Sequence, residues 1–197
     1  MKLPFEPYTP TWKSKFETLK KDIEQLLSDI QPQVDHIGST SVEGLSAKPI
    51  IDIQLGVKNK EELEQVPLLF NHPNVVYYEK YNEDMPERRF FILFQHSVSE
   101  MGVSSILKAH QATPEILQNH DLRIAHIHAF VLGSADWTRH IAFRDYLKTH
   151  PTIRAQYQEL KQKLVQQEWV DGNHYNDAKD AFLKKYEKIA VDWHQHI

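Results

Sequence analysis

Residues 36–57 read HIGSTSVEGLSAKPIIDIQLGV and hold the densest group of side chains able to do chemistry. Two apolar β-type runs, 34–38 and 49–57, flank a connection of small and hydroxyl residues. Gly38-Ser39 closes the first run, and Asp52 sits inside the second. A glycine lets backbone approach an anion closely, a serine hydroxyl can donate to it, and a carboxylate opposite can hold a cation. Backbone donors at one end and a carboxylate at the other make a phosphate-handling site from one β-turn-β unit. An ordinary hairpin or crossover with a polar connection accounts for the same pattern. Asp52 can equally be a strand-end carboxylate that accepts from Lys48 or from a backbone N–H.

Other groups converge on the same chemistry. Side chains two apart on a strand share a face, which pairs Asp52 with Gln54 and His126 with His128. Two imidazoles on one face can bind a divalent metal, hold phosphate when protonated, or serve as acid and base. Arg88 and Arg89 point to opposite faces of the strand they open, so one faces the cleft. Arg139 and Arg144 stand about 140° apart around a helix, so only one faces the sheet. Arg144 beside Asp145 can also form an internal ion pair. Tyr175 and Lys179 share a helical face. Solvated or ion-paired positions account for any one of these basic groups taken alone.

The elements that must position these groups follow from periodicity. Trp12, Phe16, Leu19, Ile23, Leu26 and Ile30 recur at helical spacing, with Thr9 or Thr11 as a cap and Pro32 as the stop. Strands are predicted over 34–38, 50–57, 75–79, 88–95 and 123–132, with a helix over 60–70 capped by Asn59. Residues 97–121 read as an excursion with a short helix after Pro114. Everything after Asp136 reads helical: Asp136 caps a helix to Thr149, Pro151 opens the next, and Gly172-Asn173 breaks it. The last helix is marked by Tyr175, Phe182, Tyr186, Ile189 and Trp193. The fold class is α+β, a mixed sheet of about five strands with a helical C-terminal third.

Composition narrows the options. The 197 residues suit one domain, 1–197, with a sheet core over 1–135 and packed helices over 136–197. A net charge of −4 argues against bulk nucleic-acid binding. Twelve histidines and no cysteine leave imidazole, carboxylate and amide as metal ligands, without thiolate. Pro4, Pro7 and Pro10 interrupt any N-terminal signal helix, and no apolar run is long enough to span a bilayer. A cytoplasmic protein without a membrane partner is expected. Its oligomeric state is not legible here.

The segment HIGSTSVEGLSAKPIIDI resembles the signature of the GrpB family, a branch of the DNA-polymerase-beta-like nucleotidyltransferase superfamily. It is also similar to the domain fused to dephospho-CoA kinase in some bacteria. His126-Ile127-His128, Phe143-Arg144-Asp145-Tyr146-Leu147 with His150-Pro151, and Tyr175 with Lys179 follow in the family's order. The resemblance implies a nucleotidyltransferase-like mixed sheet and a nucleotide or phosphorylated small molecule as ligand. It assigns phosphate binding to Gly38, Ser39, Thr40, Ser41, Lys48, Arg89, Arg144 and Lys179. Asp52, Gln54, His126 and His128 become the metal set, with Asp52 and His128 catalytic and Mg2+, or another divalent metal through the histidines, as cofactor. Where the superfamily has a second carboxylate this chain has Gln54, which weakens the case for two-metal transfer. Two other functions stay open: a non-catalytic phospho-ligand module and a metal hydrolase built on His126, His128 and Asp52.

Overall fold

The computed structural model describes residues 4–169 and 172–197. The chain opens with α1 (Thr11–Leu26), then β1 (Gln33–Ile37) and β2 (Ile51–Val57). Next come α2 (Lys60–Leu69), β3 (Val75–Tyr77) and β4 (Arg89–Phe94). The short α3 (Glu115–Gln118) precedes β5 (Arg123–Val131), and α4 (Ala135–Thr149), α5 (Pro151–Leu164) and α6 (Gly172–His194) complete the chain. The five strands form one sheet in the order β1-β2-β5-β4-β3. Only β2 and β5 run parallel, so the sheet is mixed, and the α+β class holds.

Strand alternation gives the sheet two unlike faces. Ile51, Ile53, Leu55 and Val57 of β2, with Ala125, Ile127 and Ala129 of β5, point to one side. There they meet Trp12, Phe16 and Ile23 of α1 and Leu63 and Val66 of α2 in the main core. The opposite side carries Asp52, Gln54, His126 and His128. At its β3–β4 end it is covered by the 97–121 excursion, through Met101, Leu107 and Leu117 against Val76, Ile92 and Phe94. At the other end the C-terminal helices close over it: Leu147, Tyr157 and Phe182 pack on Val42 and Leu45 of the β1–β2 connection. The site is therefore what the two coverings leave open.

Several element ends differ from those read in the sequence. Helix α1 stops at Leu26 rather than Ile30, and Gln31 takes a left-handed φ of 45° before Pro32. No side chain caps α1; Pro10 occupies that place. Ser134, not Asp136, caps α4, accepting from the Trp137 N–H at 3.3 Å. Asn59 does cap α2, accepting from the Glu62 N–H at 2.8 Å. Strand β3 ends at Tyr77, because Glu79–Tyr81 tightens into a 3-10 turn. Gly172 is the first residue of α6. No helix among the described residues is long and apolar enough to cross a membrane.

Candidate functional site

The floor of the site is set by register. Asp52 lies beside His126 and Gln54 beside His128 across the parallel β2–β5 pair, with Phe90 of β4 next to His128. His126 Nδ1 is 3.2 Å from Asp52 Oδ1, and its Nε2 is 3.4 Å from the Arg123 guanidinium. Arginine can only donate, so Nε2 accepts and Nδ1 carries the proton that faces Asp52. Burial keeps both histidines below the usual range, His128 well below, so both imidazoles are neutral near pH 7.

The wall beside Asp52 is backbone. Gly38 follows β1 at φ 69°, close against Asp52, and opens the 3-10 turn Ser39–Ser41. A Cβ placed on Gly38 would overlap Asp52 Oδ2 and lie 2.9 Å from Asp52 Cβ and Cγ. Glycine is thus required twice here, by its φ and by the close approach of main chain to carboxylate.

Three lysines from three elements complete the cavity. Lys48 precedes β2, Lys161 belongs to α5 and Lys179 to α6, and all line a cavity of about 270 Å³ with Ser39, Asp52 and His126. Lys161 is 2 % exposed, donating to Ser39 Oγ at 3.1 Å and to the Ser46 carbonyl at 2.6 Å. Its Nζ also sits 4.7 Å from the Tyr157 ring centre, while Lys48 and Lys179 both approach Tyr175, at 5.1 and 4.4 Å. None of the three forms an ion pair with a carboxylate among the described residues. Burial therefore pulls Lys161 down to about 7 and Lys48 and Lys179 down to about 8, with Lys179 lowering Lys161 and Lys48 lowering Lys179. Asp52 opposes the shift at Lys48 and Lys179. In a chain of net charge −4, this is a local concentration of cations around one carboxylate.

Of the residues expected at the site, Gly38, Ser39, Lys48, Asp52, His126, His128 and Lys179 line this one cavity. The others lie elsewhere. Thr40 is buried and bonded to His36 Nε2 at 2.9 Å, and Ser41 Oγ donates back to the Gly38 carbonyl. Both line a separate groove of about 520 Å³ against α1. Arg89 points to the apolar side, where it pairs with Glu64 of α2 and donates to the Pro86 and Arg88 carbonyls. Arg144 borders a second cavity that shares Asp52. Its guanidinium is already bound to Asp145 at 2.7 Å, and to Asp35 and the His36 carbonyl at 3.2 Å. It is an anchor of α4 to β1 rather than a free clamp.

Sequence reasoning did not place Lys161 or Tyr157 at the cavity that both line. Lys161 follows Tyr157 by one helical turn on the buried stripe of α5, a signal hidden by the habit of placing lysine in solvent. Arg88 and Arg89 part as alternation requires, but Arg89, which the resemblance assigned to phosphate, takes the apolar side. Strand β4 begins at Arg89 with that residue on the Phe91 and Leu93 side, which leaves Arg88 on the side of Phe90.

Magnesium asks for several hard oxygens, usually with more than one negative charge. Gln54 is fully buried and lines neither cavity, and its amide donates to the Trp137 carbonyl at 3.1 Å. The carbonyl oxygen of that amide is buried without a partner, on the site side of the sheet but covered by α4. Position 54 is thus withdrawn from the metal set expected above. Asp52 alone supplies charge, next to lysines that repel a cation. Among the described residues no three His, Asp or Glu side chains gather as a metal-binding set. The residues present do not fit a two-metal centre.

The fold is thus a mixed five-stranded sheet flanked by helices, with a Gly-Ser turn facing a strand carboxylate. The match to known proteins is more specific. The family model described as GrpB protein covers residues 2–188, and the chain belongs to the GrpB family. It is 33% identical over 184 residues to a UPF0157 protein of Halalkalibacterium halodurans, covering 93% of this chain and 80% of that one. It is 25% identical to a dephospho-CoA kinase of Mycobacterium leprae, matching 93% of this chain to 45% of that protein. The crystal structure of the conserved protein GrpB from Enterococcus faecalis superposes with a TM-score of 0.72 at 29% identity. That superposition covers 97% of this chain and 99% of the other.

Proposed function

We infer that this protein binds a phosphorylated small molecule, nucleotides included, in the cavity between β2 and the C-terminal helices. The observation that carries this reading is the convergence of Lys48, Lys161 and Lys179 on a buried space without a carboxylate for each. Burying unpaired ammonium groups is costly, and an anion that binds among them offsets the cost. Ser39 Oγ, held by Lys161, supplies a hydroxyl donor to the same anion. Lysine is a compact point charge that suits phosphate from several directions.

Asp52 with His126 gives the site acid–base capacity at the edge of that anion. The poor fit to magnesium favours binding over metal-dependent nucleotidyl transfer. Calorimetric titration with pyrophosphate tests the reading. Lys161→Gln should weaken binding by about tenfold or more, the size of a lost charged hydrogen bond, with the melting temperature unchanged or higher. Equal affinity in the two proteins refutes it. Rapid turnover of a nucleoside triphosphate that depends on magnesium would restore the transferase instead.

A further inference from the structure

The cavity that holds the lysines is one of two that meet at Asp52. The second, also about 270 Å³, shares Gly38, Ser39, Asp52, His128 and Tyr157 with the first and is closed on its far side by α4 and α6. Its own walls are different. Phe143 and Leu147 of α4 and Leu183 of α6 supply apolar surface there. The charged side chains along it are already matched. Arg139 is bound to Glu187 at 2.9 Å and to Asp136 at 3.2 Å, and Arg144 to Asp145 and Asp35. His140 donates from Nδ1 to the Asp136 carbonyl at 2.7 Å, and burial holds it at about 4, so the ring is neutral and keeps Nε2 as an acceptor. One cavity has ammonium groups short of carboxylates; its neighbour has paired charges and apolar walls.

We propose that the second cavity binds an uncharged, largely apolar ring of the same ligand, which is then a phosphate ester with its ester linkage beside Asp52. The proposal rests on the phosphate reading for the anionic end. An anion placed in the second cavity would meet Asp52 and Glu187, and a cation would meet Arg139 and Arg144. Either would also lose its water, a cost that a neutral ring escapes. Burying the ring among Phe143, Leu147 and Leu183 is favourable in itself. The size agrees, since an apolar cavity of about 150 Å³ takes a benzene ring. Because both cavities border Ser39 and Asp52, one molecule can occupy the two at once.

The test titrates the full chain with inorganic phosphate, methyl phosphate and phenyl phosphate. Phenyl phosphate should bind at least about tenfold tighter than methyl phosphate, from the apolar area that the ring buries. Its ring protons should show nuclear Overhauser contacts to the Leu147 and Leu183 methyl groups. Leu183→Trp fills the cavity from its α6 wall, where the leucine is only partly buried. The variant should lose the gain and bind phosphate and methyl phosphate as before. Equal affinity for the two esters overturns the ring cavity and leaves the lysine reading intact. A gain whose contacts fall on other residues does the same, whether or not the variant folds, and so does a folded variant that keeps the gain. If phenyl phosphate binds with the expected contacts and Lys161→Gln leaves its affinity unchanged, the lysine reading falls and the ring cavity stands. If none of the three ligands binds, both fall.

Discussion

The two faces of the sheet are made from the same strands and have opposite chemistry. On the α1–α2 face, Ile51, Ile53 and Leu55 alternate out of β2 and are completely buried among Leu63, Val66, Ala125 and Ala129. One residue along each strand, Asp52, His126 and His128 turn the other way and border open space. The apolar face gains from dense contact, and its few polar groups include Arg89, held by Glu64, and the Tyr77 hydroxyl, which accepts from Asn82. The site face keeps cations short of partners and polar atoms unsatisfied, among them His128 Nδ1 and Arg123 Nε. Apolar packing and polar side chains are thus segregated by parity along the strand, and a mutation's effect should depend on the parity of its position.

The sharpest break of that rule is Gln54, which has site-face parity and is nonetheless sealed under Trp137. Gln54→Asp should destabilise the protein by about 3–5 kcal/mol, the size of an uncompensated buried charge, in urea unfolding. Magnesium affinity should not rise, because position 54 is covered by α4 and lines neither cavity at Asp52. Ile53→Ala, its neighbour on the apolar face, should cost about 2–5 kcal/mol through the cavity it leaves, with pyrophosphate affinity unchanged while the protein is folded.

The next effect is a pH dependence that arises on both sides of neutrality. Folded Lys161 titrates at about 7 and Lys48 and Lys179 at about 8, against 10.5 in the unfolded chain. Between those values the unfolded chain holds protons that the folded one lacks, so stability of the free protein rises with pH from about 7 to 9. Below about 7 the lysines are charged in both states and this slope vanishes. Histidines continue it at lower pH. Burial holds His36 and His140 at about 4 and His120 at about 3, so stability falls as pH drops from 6.5 toward 4. Thermal unfolding across pH 4–9 reads both slopes. Anion binding near pH 8 should take up protons, seen as a dependence of the binding enthalpy on buffer ionisation. Smallest of all, Glu64→Gln should cost about 1 kcal/mol and leave binding untouched, because Arg89 keeps two carbonyl partners.

Much of this was legible in the chain. The alternation in 50–57 and 123–132 gave both faces of the sheet, and the Gly-Ser turn opposite Asp52 lay where the pattern put it. What could not be read was contact across more than a hundred residues. The bond from Lys161 to Ser39 joins α5 to the β1–β2 turn, and nothing local in either segment announces it. Arg144 illustrates the converse. Its neighbour Asp145 hinted at an ion pair, but Asp35 and the His36 carbonyl, which complete its bonding, belong to a distant strand. Arg89 failed for a local reason: alternation says that adjacent residues part, without saying which one faces the cleft. Gln54 had the right parity, and only the packing of α4 over β2 removed it from reach.

Gly38 has a consequence for how this cleft can change. The position of Asp52 is bounded there by main chain, with no side chain between. Neighbouring side chains can be exchanged, enlarged or recharged, and each alters what the cavity holds. Any side chain at 38 moves the carboxylate itself and strains a turn whose φ only glycine adopts freely. No substitution elsewhere can return the space it fills. The ligand preference of this cleft can therefore drift widely by mutation, while its one acidic fixed point is held in place by an atom that the chain leaves out.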